Sequence, residues 1–385
     1  MADTSTPLAA EHRALGATMT GFGGWLMPLR YTSDLAEHRA VRSTAGLFDL
    51  SHMGEIHLEG PGAAAALDVA LVGSATAIAV GRAKYSMICA EDGAVLDDLI
   101  VYRLADEHFL VVANAGNAPL VARELAARTH GFDVVTTDRS AATALIAVQG
   151  PRAERIVTAL TDPADVAAVR ALPYYAATRA RLRVGEGAAA LVARTGYTGE
   201  DGFELFVDVA DAVGLWRAAL AAGAEHGLAP AGLAARDSLR LEAGMPLYGH
   251  ELDTTTTPFE AGLGRVVRLD KQDTAGRLVE FVGRAALAAR KASPPARVLV
   301  GLRGEGRRSA RAGYDVVRRG AEGSVGAKVG VVTSAAPSPT LGRPIAMAYV
   351  TPEVCAQGVE LAVDVRGRAE PFVVVPLPFY RRATA

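Results

Sequence analysis

The sequence predicts an α+β chain closed by a separate all-β unit at its C-terminus. Three observations carry this reading. Up to about residue 285, stretches with helical spacing alternate with strands and hairpins. Beyond it, short strands broken by Gly, Pro and Ser run to the end with little helix. Forty glycines and 19 prolines supply the turns that such strands need. The boundary falls at KASPPARVLVGL, read as a linker entering a new strand, so the chain divides into residues 1–285 and 292–385.

Residues 33–45 read as a helix that Ser33 can cap, with Leu35, His38 and Val41 near helical spacing. GLFDLSHMGEIHLEG (46–60) alternates and ends at Gly-Pro, so it reads as one strand. PGAAAALDVALVG (61–73) places Pro at the first turn of a helix. KYSMICA (84–90) and AVLDDLIVYRL (94–104) form a hairpin, because Asp92-Gly93 between apolar runs favours a tight turn. HFLVVANAG (108–116) is a strand with a helix after it, and ALIAVQGP (144–151) is a buried strand running into another helix. Residues 179–209 form a meander of three short strands, and 211–227 and 231–244 are helices. No fixed-period repeat is present.

Composition narrows the function. At 385 residues and 50% hydrophobic the chain can bury a sizeable core in two or three domains. A formal charge of −2 argues against nucleic acid held by a global positive excess. Cys89 and Cys355 are too few for a disulfide framework or a thiolate metal site. No window approaches the roughly 18 apolar residues of a membrane span, and MADTSTPLAAEHRAL lacks the pattern of a signal peptide. The expected setting is therefore soluble, reducing and cytoplasmic, without membrane or nucleic acid. GLRGEGRRS (301–309) resembles a P-loop but has Arg where Lys must stand, and GEGAAA (185–190) leads into strand rather than the helix a dinucleotide site requires. The histidines show no metal spacing such as HExxH, and no G-x-S-x-G elbow occurs.

Three constellations could carry chemistry. Asp97 and Asp98 sit inside an apolar strand, where neighbours point to opposite faces. They are either the solvated acids of an edge strand or include a carboxylate held in an apolar cleft, tuned to handle a proton or a developing cation. RTGYTGEDGFE (194–204) packs three glycines, a Tyr and three acids into eleven residues, as a plain turn or as a backbone shaped for close approach to a ligand. Arg236 and Arg240 share one helix face, in a salt-bridged surface or in a pocket.

Taken together, the chain resembles the tetrahydrofolate-dependent aminomethyltransferases, the T-proteins of the glycine cleavage system. The resemblance runs nearly end to end. It rests on FGGWLMPLRY (22–31), EHRAVRSTAGLFDLSHMGEI (37–56), AKYSMICAEDGAVLDDLIVYRL (83–104), VVANAGN (111–117), IAVQGP (146–151), RTGYTGEDGFEL (194–205), GLAARDSLRLEAGMPLYGHELD (232–253), TPFEAGLGRVVRLDK (257–271), FVGRAAL (281–287) and SPTLGRPIAMAYV (338–350).

The resemblance implies three domains around a central folate channel: two intertwined α+β units and a C-terminal β-barrel. It implies transfer of a one-carbon unit from an aminomethyl-lipoyl arm, carried by the H-protein, to tetrahydrofolate, with release of ammonia and no metal. The family's catalytic aspartate falls on Asp97, its pterin-contacting glutamate on Glu204 and its pocket arginine on Arg236. Met53, Tyr85, Asn114, Tyr197 and Tyr380 match pocket positions. The chemistry suits this allocation: a carboxylate accepts both N–H groups of the pterin edge in a fork, a guanidinium donates to carbonyl oxygen, and an aspartate steadies an iminium-like centre or relays the amine's proton. Arginines 30, 265, 268 and 307 could form a basic rim for an acidic lipoyl domain.

Two departures stand out. Arg265 replaces a Trp common in the family, and Ala335-Ala336 replaces a Gly-containing pair and is expected to alter a turn. The competing readings are a folate-dependent demethylase of a small methylated substrate, which the same fold could host, and a folate-binding scaffold without turnover.

Overall fold

The computed structural model describes residues 3–320 and 324–383. Two sheets stack face to face with helices on their outer sides. The first has six strands in the order Ala177–Leu182, Ala188–Ala193, Gly202–Asp208, Thr143–Gln149, Ala45–Asp49, Leu228–Pro230. All neighbours are antiparallel except the last pair, which is parallel. Helices Ala153–Leu160 and Ala212–Gly223 cover its outer face with Ile156, Val157, Leu215 and Trp216, none of them exposed. The second sheet has five antiparallel strands, Ala83–Cys89, Val95–Ala105, His108–Ala113, Gly54–Glu59 and Val135–Asp138. Helices Ala63–Ala70 and Ala118–Arg128 cover it through Leu67, Val121 and Leu125.

Between the sheets, Phe48, Leu145, Ala147 and Phe206 of the first meet Tyr102, Leu110 and Val112 of the second. Helix Leu233–Glu242 adds Ala235 and Leu239 to the same layer. Burying the leucine, valine and phenylalanine side chains among these contributes about 1.5–3 kcal/mol each, and the layer fixes the spacing of the two sheets.

The stretch 46–60 is two strands rather than one. Asp49 accepts the Ser51 N–H at 2.9 Å and Leu50 accepts that of Met53 at 2.9 Å, so the chain turns and crosses between sheets. This crossing intertwines the two units. The meander, the hairpin at Gly93 (φ +85°) and the Ser33 cap, which accepts the Ala36 N–H, all match expectation. Helix Arg284–Ala292 lies across the expected boundary near residue 285.

The C-terminal strands close into a six-stranded barrel, Val298–Gly304, Arg343–Val350, Val325–Ser338, Asp315–Arg319, Glu360–Asp364 and Ala369–Val375. Ala335 and Ala336 do not form a turn. They sit within a strand, opposite Ala346 and Ile345, because closure of the barrel carries that strand on to Ser338. A small sheet of Thr4–Ser5, Trp25–Arg30 and Thr18–Phe22, not among the elements expected from the sequence, completes the N-terminal region.

Candidate active site between the stacked sheets

Strand Val95–Ala105 is central to its sheet, so neither aspartate is an edge residue. Asp97 follows the phase of Leu99 and Val101, which pack under the helices, and it is 0% exposed. Its Oδ1 accepts from Asn114 Nδ2 at 2.9 Å and Asn117 Nδ2 at 2.8 Å, and its Oδ2 accepts the Asn114 N–H at 3.0 Å. Asp98 follows the phase of Ile100 and Tyr102, which face the first sheet. Its carboxylate accepts from the Tyr85 hydroxyl at 3.0 Å and from Asn114 Nδ2 at 2.8 Å. Burial pushes Asp97 up to about 7, helped by the charge of Asp98, and burial pushes Asp98 up to about 6 against the hydrogen bonds of Tyr85 and Asn114. The physical reason for preferring Asp98 over Asp97 at the cleft is the two-residue period of the strand.

The acids of the 194–204 loop separate in the same way. Gln149 holds the loop, donating to the Thr195 carbonyl at 3.0 Å and accepting from Thr198 at 2.9 Å. A Cβ at Gly196 or Gly202 would overlap the Gln149 amide, which explains both glycines. Glu200 pairs with Arg42 at 3.0 Å, and Asp201 pairs with Arg194 and with Arg382 at 3.2 Å. Glu204 has no hydrogen-bonded cation among the described residues. One of its oxygens accepts from Thr195 and from Tyr102 at 3.4 Å, while the other has no hydrogen bond among the described residues. Burial raises its pKa, and the nearby Arg236 charge lowers it.

Arg236 sits half-buried with its guanidinium 4.8 Å from the centre of the Tyr197 ring. It has no side-chain hydrogen bond or ion pair among the described residues, and both Tyr197 and Glu204 act on it electrostatically. Tyr197 donates its hydroxyl to the Pro246 carbonyl. The Asp98 carboxyl touches Tyr85 through its hydrogen bond, and its charge also reaches Tyr175 and Tyr197. Tyr85 and Tyr175, with Lys84, Arg265 and Arg268, border a cavity of about 390 Å³. Tyr197 and Arg236 border a second of about 730 Å³, which is also lined by Ala335 to Ser338 of the barrel.

Asp98, Tyr85, Asn114, Glu204, Arg236 and Tyr197 therefore come together. Met53 packs beside them at the inter-sheet layer. Tyr380 does not join them through its described contacts: Arg42 stacks on its ring at 4.1 Å, and its N–H binds the Glu242 carbonyl at 2.8 Å. The four arginines read as a rim also separate. Arg265 and Arg268 share the smaller cavity, Arg30 pairs with Asp34 at 3.3 Å, and Arg307 lies on an exposed turn of the barrel. His52 was missed from the sequence. It is 2% exposed, its Nδ1 has no hydrogen-bond partner among the described residues, and burial beside the Arg236 charge pulls it down to about 4.

Two family models cover this chain: the GCVT N-terminal domain over residues 8–271 and the glycine cleavage T-protein C-terminal barrel domain over 297–381. An aminomethyltransferase of Saccharopolyspora erythraea is 58% identical over 98% of both chains. One of Streptomyces avermitilis is 59% identical over 98% of this chain and 97% of its own. The crystal structure of the glycine cleavage system aminomethyltransferase T from Bartonella henselae superposes with a TM-score of 0.87 at 35% identity, covering 98% of each chain. The chain belongs to the glycine cleavage T-protein family and is an enzyme of the aminomethyltransferase type. That finding decides against the demethylase reading. No described helix is long and apolar enough to cross a membrane.

Proposed function

We propose that this enzyme moves the one-carbon unit of an aminomethyl group from a lipoyl arm on the H-protein to tetrahydrofolate. The carbon leaves the lipoyl sulfur and its own nitrogen and bonds to two folate nitrogens. The two protons those nitrogens lose go to the sulfur and to the amine, which departs as ammonia. Tetrahydrofolate is a substrate here, and the protein's part is to position it and shape the field around it.

The reading rests above all on Glu204 and Arg236. Both are charged, sunk between the sheets and left with open hydrogen-bonding positions. A pterin edge with two parallel N–H donors and a carbonyl acceptor fits that pair, with Glu204 accepting and Arg236 donating. Asp98 takes the role first given to Asp97. Ionised above about pH 6, it steadies the positive charge that grows as the amine departs. Asp97 and Asn117 position it through Asn114, whose Nδ2 bonds both carboxylates. Tyr85 and Tyr197 supply the aromatic walls, and Lys84, Arg265 and Arg268 offer an acidic carrier domain a basic approach.

The test supplies aminomethylated H-protein with and without tetrahydrofolate and follows ammonia and 5,10-methylenetetrahydrofolate. Folate-dependent release of both is expected. Absence of folate-dependent ammonia rejects the reading, and folate binding without turnover would restore the scaffold alternative.

A further inference from the structure

Away from the cleft, strands Gly54–Glu59 and His108–Ala113 bring three ligand-type side chains together on one face. Glu59 lies directly opposite His108, and His57 stands two residues before Glu59 on the same side. His57 Nδ1 is 2.8 Å from His108 Nε2, and that same nitrogen is 3.2 Å from Glu59 Oε1. All three ligand atoms lie within 4.8 Å of one another.

A ring nitrogen offers either a proton or a lone pair. A proton on His108 Nε2 must be shared between the His57 lone pair and the carboxylate. A proton on His57 Nδ1 leaves the Nε2 lone pair against the Glu59 oxygen. The three atoms present more lone pairs than protons in either arrangement. We propose that His57, His108 and Glu59 form a binding site for one divalent transition-metal cation of the zinc class, with solvent as the fourth ligand. Two imidazoles and one carboxylate are the donors such an ion takes. Ligand atoms about 2.0–2.1 Å from a tetrahedral centre stand about 3.3 Å apart, so the two rings need open by only about half an ångström.

The site is separate from the cleft. Gly54 and Ala113, at the cleft end of the same strands, are five residues, or about 17 Å, from Glu59 and His108, and Gly54 is three residues, or about 10 Å, from His57. It pins two neighbouring strands of the second sheet and is a stabilising site. Arg139, whose guanidinium is 3.5 Å from Glu59, is the cation an incoming metal displaces, and the Arg179 charge also reaches His57.

The experiment titrates the metal-stripped full-length protein with Co²⁺ and reads the visible absorption of a tetrahedral complex, then displaces it with Zn²⁺ while following Tm. One equivalent of Co²⁺, displaced by Zn²⁺ with a rise in Tm, is expected, with kcat unchanged by the metal. His57→Asn and His108→Asn should each weaken binding by at least about 100-fold, more than the loss of an outer partner costs. Arg139→Gln should tighten it, and it tests the site without removing a ligand should a histidine variant fail to fold. No tetrahedral band in the wild type, equal affinity in the histidine variants, or weaker binding in Arg139→Gln overturns the site. None of these outcomes bears on ammonia release, so the site and the transferase reading fail independently.

Discussion

Arg236 and Arg240 stand four residues apart on one helix, and their guanidiniums enter opposite kinds of surroundings. Arg240 is 1% exposed and closed in by Asp237 at 2.8 Å, Glu251 at 2.9 Å and Ser334 of the barrel at 2.7 Å. Two residues further, Glu242 accepts from Arg42, His38, Ser338 and Thr340, which ties the helices to the barrel. At this junction charges largely satisfy one another. Across the cleft, Arg236 and Glu204 leave donors and an acceptor open beside a carboxyl that burial keeps near neutrality. The residue types are the same, and the difference lies in closure of the network. Buried polar groups that are satisfied specify structure, and those left open are costly unless a ligand completes them.

Substitutions should separate the two regions. Asp98→Asn is expected to lower kcat by about three orders of magnitude while moving Tm little. Asp97→Asn should do the reverse in emphasis, because one amide oxygen faces three N–H donors at a cost of about 1–3 kcal/mol. Ammonia release and thermal denaturation of both variants decide the matter, and the assignment of strand faces is wrong if Asp97→Asn alone abolishes turnover at unchanged Tm. At the junction, Glu242→Gln should cost about 3–5 kcal/mol in urea unfolding by removing the buried carboxylate that Arg42 and His38 share and leaving Arg42 with Glu200 alone, with the folate KM unmoved.

The regions also respond to pH with opposite sign. Glu242 is held at about 2 by the hydrogen bonds of His38 and Ser338 against burial. Its stabilisation is complete above its ordinary 4.5 and is lost as pH falls toward 2. Asp98 at about 6 and Asp97 at about 7 are raised, so the folded state is favoured while they are protonated and stability is lost as pH rises through that range. Unfolding free energies at about pH 3, 5 and 8 should show the acid limb flattened in Glu242→Gln and the neutral limb flattened in Asp98→Asn.

Much of this was legible in the sequence. The hairpin at Asp92-Gly93, the three-strand meander and the all-β C-terminal unit follow from local patterns that tertiary contacts do not override. The break at Leu50 to Met53 was hidden, because alternation continues across a turn whose only signal is the Asp49 side chain bonding Ser51. Glu204 and Arg236 were named, yet what sets them apart from Glu200 and Arg240 is the partner each lacks, and partners such as Arg42 for Glu200 and Ser334 for Arg240 lie distant in the chain. The aspartate face could not be read, since Leu99 and Val101 on one side and Ile100 and Tyr102 on the other are equally apolar. His57 and His108 are separated by 51 residues, so only strand register joins them.

Two smaller effects sharpen the contrast further. Glu204→Gln replaces an open acceptor with a mixed group and should raise the folate KM by about 10–100-fold with a lesser change in kcat; an unchanged KM places the pterin elsewhere. Tyr85→Phe is subtler. Its hydroxyl lowers the Asp98 pKa by hydrogen bonding, so removing it should raise that pKa above about 6. If the ionised form serves the reaction, the acid limb of kcat/KM shifts upward by up to about one unit, while the plateau falls only a few-fold. A limb that stays in place in Tyr85→Phe and also survives in Asp98→Asn belongs to a different group, and the strand's second aspartate then ceases to be the working carboxyl.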